Sequence, residues 1–390
     1  MVVVQPFAVE QWMDEYETTA KYNIAETCSS SISLDDLCAF AGDTRPADLF
    51  DSSRKLGYGA IRGSEELRSA IARLHAGSYE GAAAQVPTLD NVLITPGAIN
   101  ANFLLLYTLV HVGDHVVCHY PTYQQLYSVP ESLGAEVTLW KTSAEKDWEL
   151  NVDELTGLIK ENTKLIILNN PQNPTGKTIP TKDLQQIINI ARERNIYVFC
   201  DEVYRPLFHS LDTTQRPASA YSLGYDKVII TGSVSKAYAL AGIRIGWIIA
   251  NKEMINQCLH ARDYTTISVS QLDDKVASFA LGEKRVSNLL ARNMSLAKHN
   301  LDILAAFVEE FSSVCDWYKP LAGTTAFVRF SKNGVPVDDV GLCKMVFERV
   351  GVMFVPGGHC FGPEFKGFVR IGYVCETKDL EEVWHSLGFS

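Results

Sequence analysis

The stretch KVIITGSVSKAYALAGIRIGW, Lys227–Trp247, joins a short β-branched run to one lysine set among small residues, and the fold is read outward from it. Val228, Ile229 and Ile230 predict a buried strand over 227–231, and Ser233, Ser235, Lys236 and Arg244 follow where that strand ends. A lysine amine becomes a useful nucleophile when a polar, partly dry pocket aims it at a carbonyl. Arg244, eight residues past the lysine, is a fixed-charge fork suited to a phosphate, and the Ser233 hydroxyl adds a donor. Together they suit a phosphorylated aldehyde. An isolated SxSK is equally a surface lysine in a serine-rich loop, so the rest of the chain decides.

The same pattern recurs upstream. NVLIT (91–95) runs into the helical GAINANFLLLYTLVHV, HVVCH (115–119) precedes a helix from Thr122, and KLIIL (164–168) and YVFCD (197–201) flank the helical LQQIINIARERN. Apolar β-branched runs separated by amphipathic helices predict an α/β domain over 41–275, a mostly parallel sheet with helices on both faces. Leu67, Ile71 and Leu74 share one face of a further helix over 64–75. Before this domain, residues 1–40 read as an arm: helical VEQWMDEYETTAKY, then the polar ETCSSSIS, Glu26–Ser33, a loop by composition. After it, 276–390 predicts a smaller α+β domain with a long helix over Arg285–Phe311. Strands follow in TTAFVRF (324–330), VGVMFV (350–355) and GFVRIGY (367–373), with helices near 337–349 and 377–387.

At 390 residues and 46% hydrophobic, the chain has material for a sizeable core. A net charge of −11 opposes a nucleic-acid surface, which needs clustered Lys and Arg. The N-terminus carries no basic stretch ahead of its apolar residues, and the longest apolar run, Phe103–Val112, is shorter than the roughly 18 residues of a membrane span. Nine cysteines, an odd number with no CxxC pair, predict free thiols in a reducing compartment. The expectation is a cytoplasmic enzyme with no nucleic-acid or membrane partner.

In an open α/β sheet, ligands sit beyond the carboxyl ends of the strands. Beyond NVLIT stand Pro96, Gly97 and Ala98, small residues whose bare amides at a helix start can hold an anion. Beyond KLIIL comes NNPQNPTG, a rigid turn presenting Asn173. YVFCD closes on Asp201, with Tyr204 three residues on. His111, His115 and His119 have a helical metal-ligand spacing, but Gly113-Asp114 breaks any helix there, so no metal is expected.

In this order NPQNPTG, DEVY, SVSK and Arg244 resemble the fold type I pyridoxal-phosphate enzymes, the class I and II aminotransferase superfamily, over nearly the whole chain from Tyr58 to Arg370. The resemblance implies that Lys236 forms a Schiff base with pyridoxal 5'-phosphate and shuttles the substrate α-proton, while Asp201 keeps the pyridine nitrogen protonated. It implies that Asn173 and Tyr204 bond the phenolic oxygen, that Tyr123 stacks on the ring, and that Gly97, Ala98, Ser233 and Arg244 hold the phosphate. Arg370 matches the arginine that clamps the substrate α-carboxylate. Tyr58 matches the tyrosine that reaches the phosphate of a neighbouring subunit, which implies a homodimer with a shared site. The loop holding His359 and Cys360 is one the family folds near the substrate.

The chain departs from this pattern near its start. Ordinary members carry an L-x-x-G-E-P loop over the substrate, whereas here stands YNIAETCSSSISLDDL, Tyr22–Leu37. With EQWMDEY (10–16), that segment is similar to the opening of capreomycidine-synthase-like enzymes, which share the scaffold but eliminate a β-substituent and close a ring. Glu26 and the rest of 26–33 are therefore expected at the substrate. Two outcomes stay open: elimination, replacement or cyclisation of a β-substituted amino acid, or transamination with a 2-oxo acid. A cofactor-sensing regulator would need a DNA-binding module, and the expected α/β domain begins after only about forty residues, which are acidic in balance.

Overall fold

A computed structural model of the chain describes residues 3–40, 42, 45–76 and 84–388, so the outer ends of the expected arm and small domain lie outside the described residues. Its centre is a seven-stranded sheet in the order Val92–Thr95, Gly246–Ile249, Val228–Ser233, Tyr197–Asp201, Thr163–Asn169, His115–Tyr120 and Glu136–Lys141. Every pairing is parallel except the two made by Gly246–Ile249. Alternate residues feed opposite cores: Val198, Cys200, Val228 and Ile230 pack with Leu184, Ile187 and Ile188 of helix Thr181–Glu193. Phe199 and Ile229 pack on the other face with Leu104 and Leu105 of helix Gly97–Leu109. Burial on both faces is why these strands read as continuous apolar runs.

Three local expectations need correcting. The helix expected from Thr122 begins at Gln125. Two strands of the sheet, Glu136–Lys141 and Gly246–Ile249, were not foreseen. The run 350–355 is two short strands rather than one: Val352–Met353 and Val355–Pro356 pair with different partners.

A five-stranded antiparallel sheet is built around Thr325–Lys332, which pairs with Phe368–Gly372 so that Phe327 stands opposite Arg370. The long helix Glu283–Glu310 serves two cores, Val286 and Leu289 joining that of the large sheet and Leu301, Leu304 and Phe307 the other.

The arm is tied to both parts. Tyr22–Asn23 pairs in parallel with Val352–Met353, and Gly372 N donates to Ile24 O (2.7 Å). The Glu26 carbonyl passes so close to Gly372 that a Cβ there would collide with it. Further on, Ser29 N donates to Lys236 O (3.2 Å), Ile32 N to Ala239 O (3.3 Å), and Ser30 N to Val374 O (2.7 Å). Residues 24–32 therefore form a lid fastened by backbone bonds to the lysine loop and to the strand bearing Arg370. Among the described residues, no helix is long and apolar enough to cross a membrane.

Candidate active site

A cavity of about 310 Å³ lies between the carboxyl ends of the central strands, the arm and Arg370. Lys236, Asp201, Tyr204, Ala98, Tyr123, Asn173, Ser233, Arg244, Arg370 and Glu26, dispersed over the sequence, all line it. Gly97 lies directly beneath Arg244: its φ is +79°, and a Cβ there would stand 2.6 Å from Arg244 Nη2. Only glycine meets both conditions. Tyr58 does not line this chain's cavity; its side chain is 84% exposed. His359 and Cys360, in a loop that the family folds near the substrate, do not line the cavity either. They belong to the short helix Gly357–Cys360, whose Cys360 is buried in the smaller core, and their loop instead presents the Phe361 ring, 5.7 Å from the Arg370 guanidinium.

Lys236 meets the lid. Its Nζ donates to Thr27 Oγ1 (2.5 Å) and to Cys28 Sγ (3.3 Å), and stands 3.6 Å from Glu26 Oε1. Burial favours the neutral amine, but Cys28, Glu26 and Tyr204 outweigh it and raise the lysine pKa. Burial pushes Glu26 up, yet the Lys236 charge and hydrogen bonds from the Cys28 thiol and the Thr27 and Cys28 amides bring it down to about 2. Nearly half of the Glu26 side chain remains open to solvent, so this carboxylate faces the cavity mouth. The Cys28 thiol, mainly through burial, is pushed up to about 11.

Asp201 is 3% exposed, and burial raises its pKa to about 6 against the bonds that favour its charge. Those bonds come from Asn102 Nδ2 (2.9 Å) and Val203 N (3.0 Å). Thr231 Oγ1 donates to Asn102 Oδ1 (2.7 Å), which leaves the Asn102 amino group facing the carboxylate. Asn169 Oδ1 accepts from Asn173 N (2.7 Å) and fixes the NNPQNPTG turn.

Arg370, 3% exposed, spans the cavity's other side: Nη2 donates to Ala25 O (3.0 Å), Nη1 lies 3.4 Å from Asn173 Oδ1, and Nε has no partner among the described residues. A buried guanidinium with an open donor awaits an anion. With Asn173 Oδ1 turned to Arg370, its amino group is left for another acceptor. Arg244 lies over Gly97 with Nη1 held by Ala241 O (2.8 Å). A ring nitrogen beside Asp201, a phenolic oxygen beside Asn173 and Tyr204, an aldehyde at Lys236 and a phosphate at Arg244, Ser233 and Ala98 match this donor set. Pyridoxal phosphate fits.

Several lining residues escaped the sequence reading. Asn102 is one of the few polar residues in an apolar helix, which was its only signal, and Thr27 and Cys28 sat within a loop legible only as polar. The third omission is a stripe on helix Ala8–Tyr16 and just beyond: Glu10, Asp14 and Glu17, at i, i+4 and i+7, line the cavity beside Val9 and Met13. Among the described residues, none of the three pairs with a lysine or arginine, though Glu10 accepts from the Tyr123 hydroxyl (2.7 Å).

Residues 38–387 match the family model described as aminotransferase class I and II. Capreomycidine synthase of Streptomyces vinaceus is 28% identical over 96% of this chain and 90% of its own length, a match that extends into the arm. Among solved structures, a PLP-dependent aminotransferase from Streptococcus suis superposes with a TM-score of 0.89 at 37% identity, covering 98% of this chain and 96% of that one. The PLP-dependent cyclase OrfR superposes at 0.85 with 26% identity, covering 98% and 96%. Given the lysine at a strand end, the Asp201, Asn173 and Tyr204 that share its cavity and a family match over most of its length, the chain belongs to the class I and II aminotransferase family.

Proposed function

We propose that this chain is a pyridoxal-phosphate-dependent enzyme that acts on a free α-amino acid with a cationic side chain and eliminates, replaces or displaces by ring closure a substituent on Cβ. The observation that carries the reading is the acidic lining of the cavity, where the lid residues Glu26–Cys28 contact the Lys236 amine and Glu10, Asp14 and Glu17 contribute three further carboxylates. Carboxylates around a partly dry cavity favour a positive side chain and repel dicarboxylic amino acids. The similarity to capreomycidine synthase and to the OrfR cyclase supports chemistry at Cβ. A second reading, transfer of the amino group to a 2-oxo acid, is favoured by the likeness to the Streptococcus suis aminotransferase.

When bound, the cofactor supplies an aldehyde for a lysine amine and a ring that accepts electron density from Cα. The protein's part is positional and protonic. Asp201 would hold a proton at the ring nitrogen, and Asn173 and Tyr204 would bond the phenolic oxygen. Arg244, Ser233 and the Gly97 and Ala98 amides would hold the phosphate, and Tyr123 would stack on the ring. Arg370 fixes the α-carboxylate, which orients the Cα proton toward Lys236. We also propose a homodimer in which Tyr58 reaches the partner's phosphate. Exposed Ile99, Phe103 and Tyr107 on one face of helix Gly97–Leu109, and Tyr264 at 93% exposure, support an apolar contact.

Two measurements test the reading. Borohydride reduction of the holoenzyme should leave the cofactor on the Lys236 peptide. A β-hydroxylated amino acid with a side-chain amine should lose its hydroxyl; conversion to its 2-oxo acid with the hydroxyl retained would replace the first reading by the second.

A further inference from the structure

We propose that Gln172 and His119 form a buried staple that fixes Tyr123 relative to Asn173, and that both act as positioning residues for the cofactor ring. The inference rests on the reading that Tyr123 stacks on that ring while Asn173 bonds its phenolic oxygen. Neither Gln172 nor His119 lines the cavity, and each is 2% exposed. They stand at the ends of neighbouring parallel strands: His119 belongs to His115–Tyr120, and Gln172 follows Thr163–Asn169. The ladder between these strands ends at Cys118 with Ile167, and beyond it the Gln172 side chain joins the two segments. Its Nε2 donates to Pro121 O (2.6 Å) and lies 3.0 Å from His119 Nε2, while its Oε1 accepts from Thr175 Oγ1 (2.5 Å).

These contacts determine where the protons are. Pro121 O can only accept, so the Gln172 atom facing it is the amide nitrogen, and the Thr175 hydroxyl on the amide's other atom agrees. The second N–H of that nitrogen is then left for His119 Nε2, which has to accept it. His119 is therefore neutral, with its proton on Nδ1. Burial works in the same direction, lowering its pKa to about 3. The histidine whose spacing from His111 and His115 suggested a metal ligand serves instead as the acceptor for an amide.

Each end of the staple leads to a residue of the cavity. On one side, Gln172 N donates to Lys177 O (2.9 Å), Gln172 O accepts from Gly176 N (2.8 Å), and Asn173 N donates to Asn169 Oδ1 (2.7 Å). Gln172 and Asn173 thus belong to one rigid turn. On the other side, Pro121 stands two residues before Tyr123. Groups that contact a ligand stay within about 0.5 Å of a working geometry only when the residues supporting them are themselves locked by hydrogen bonds.

The first test needs no change at Gln172. In cofactor-free protein carrying nitrogen-15-labelled histidine, NMR at pH 7 should show His119, assigned by its loss in His119→Asn, protonated at Nδ1 and bare at Nε2. In Gln172→Met the Nε2 signal should shift, because its hydrogen bond is gone. The opposite tautomer in the wild type, or an Nε2 signal indifferent to Gln172→Met, would overturn the staple. The second test is the dissociation constant of pyridoxal phosphate, titrated into cofactor-free protein. Gln172→Met should raise it about tenfold in the wild-type background, but less than about threefold in Tyr123→Ala, where the ring to be positioned is already missing. The same factor in both backgrounds would overturn the positioning role. If Tyr123→Ala by itself leaves the constant unchanged, the stacking reading fails separately and takes the positioning role with it, while the His119 spectrum still decides whether the staple exists.

Discussion

Asn102 Nδ2 lies 2.9 Å from Asp201 Oδ2, and Thr231 fixes the orientation of that amide from its other end. Asn102 is thus the largest influence opposing the burial that lifts Asp201 to about 6. A protonated Asp201 cannot pair with a pyridinium, so cofactor affinity is expected to fall as pH drops through about 6. Asn102→Ala should move that fall to higher pH and weaken binding at pH 7 about tenfold, the worth of one hydrogen bond to a charged group. Titration of cofactor-free protein with pyridoxal phosphate from pH 5 to 8 checks this; superimposable curves would remove Asn102 from the account.

Glu26 works in the opposite direction. Its folded pKa of about 2 lies below its ordinary 4.5, so its contribution to stability is fully present above pH 4.5 and is lost as pH falls toward 2. Glu26→Gln should lower the melting temperature of the cofactor-free chain at pH 7, and the gap to wild type should close progressively below pH 4.5. A gap independent of pH would mean that packing, not charge, is what the substitution removes.

Arg370→Ala should act on substrate binding. The guanidinium is buried with Nε unpartnered among the described residues while its other nitrogens are held by Ala25 O and Asn173, so the free donor is directed and rigid. Losing a charge-assisted pair of bonds to a carboxylate costs on the order of 2–4 kcal/mol, expected as a rise in KM with a smaller change in kcat. Arg370→Lys should rescue little, because an ammonium cannot reproduce the planar fork. Steady-state kinetics on both variants decides it.

The sequence made the scaffold legible where burial was two-sided. KLIIL, YVFCD and KVIIT are apolar on both faces, and the residues at their carboxyl ends, Asn173, Asp201 and Lys236, stood out because polar groups there have no packing reason. Glu136–Lys141 was hidden for the opposite reason: it is an edge strand, with Glu136 and Lys141 exposed, and its mixed composition resembles a loop. Gly246–Ile249 was obscured by following the lysine loop at once and running antiparallel. The lid was the hardest to read. Its contacts, Ser29 to Lys236 and Ile24 to Gly372, join residues about two hundred or more positions apart, and no periodicity within ETCSSSIS encodes them. Tyr58, expected to serve a neighbouring subunit, is a surface residue of the single chain.

The acidic stripe sets the last expectation. Glu10 is engaged with the Tyr123 hydroxyl, so its removal would disturb the cofactor side of the cavity as well as the substrate side. Asp14 and Glu17 make no such bond among the described residues and offer the cleaner test. Each is solvent-exposed and its attraction for a cation is screened, worth about 0.5–1 kcal/mol at low salt. Asp14→Asn combined with Glu17→Gln should therefore reduce the preference for L-lysine over L-glutamate, measured as the ratio of dissociation constants, by about fivefold to thirtyfold. Most of the change should appear as weaker lysine binding, and it should shrink at high ionic strength as the Debye length contracts. Because Lys236 is held by Thr27, Cys28 and Glu26 and, among the described residues, not by Asp14 or Glu17, the exchange rate of a bound substrate's α-proton should stay near wild type. A preference insensitive to both substitutions and to salt would assign side-chain selection to the lid instead of the helix.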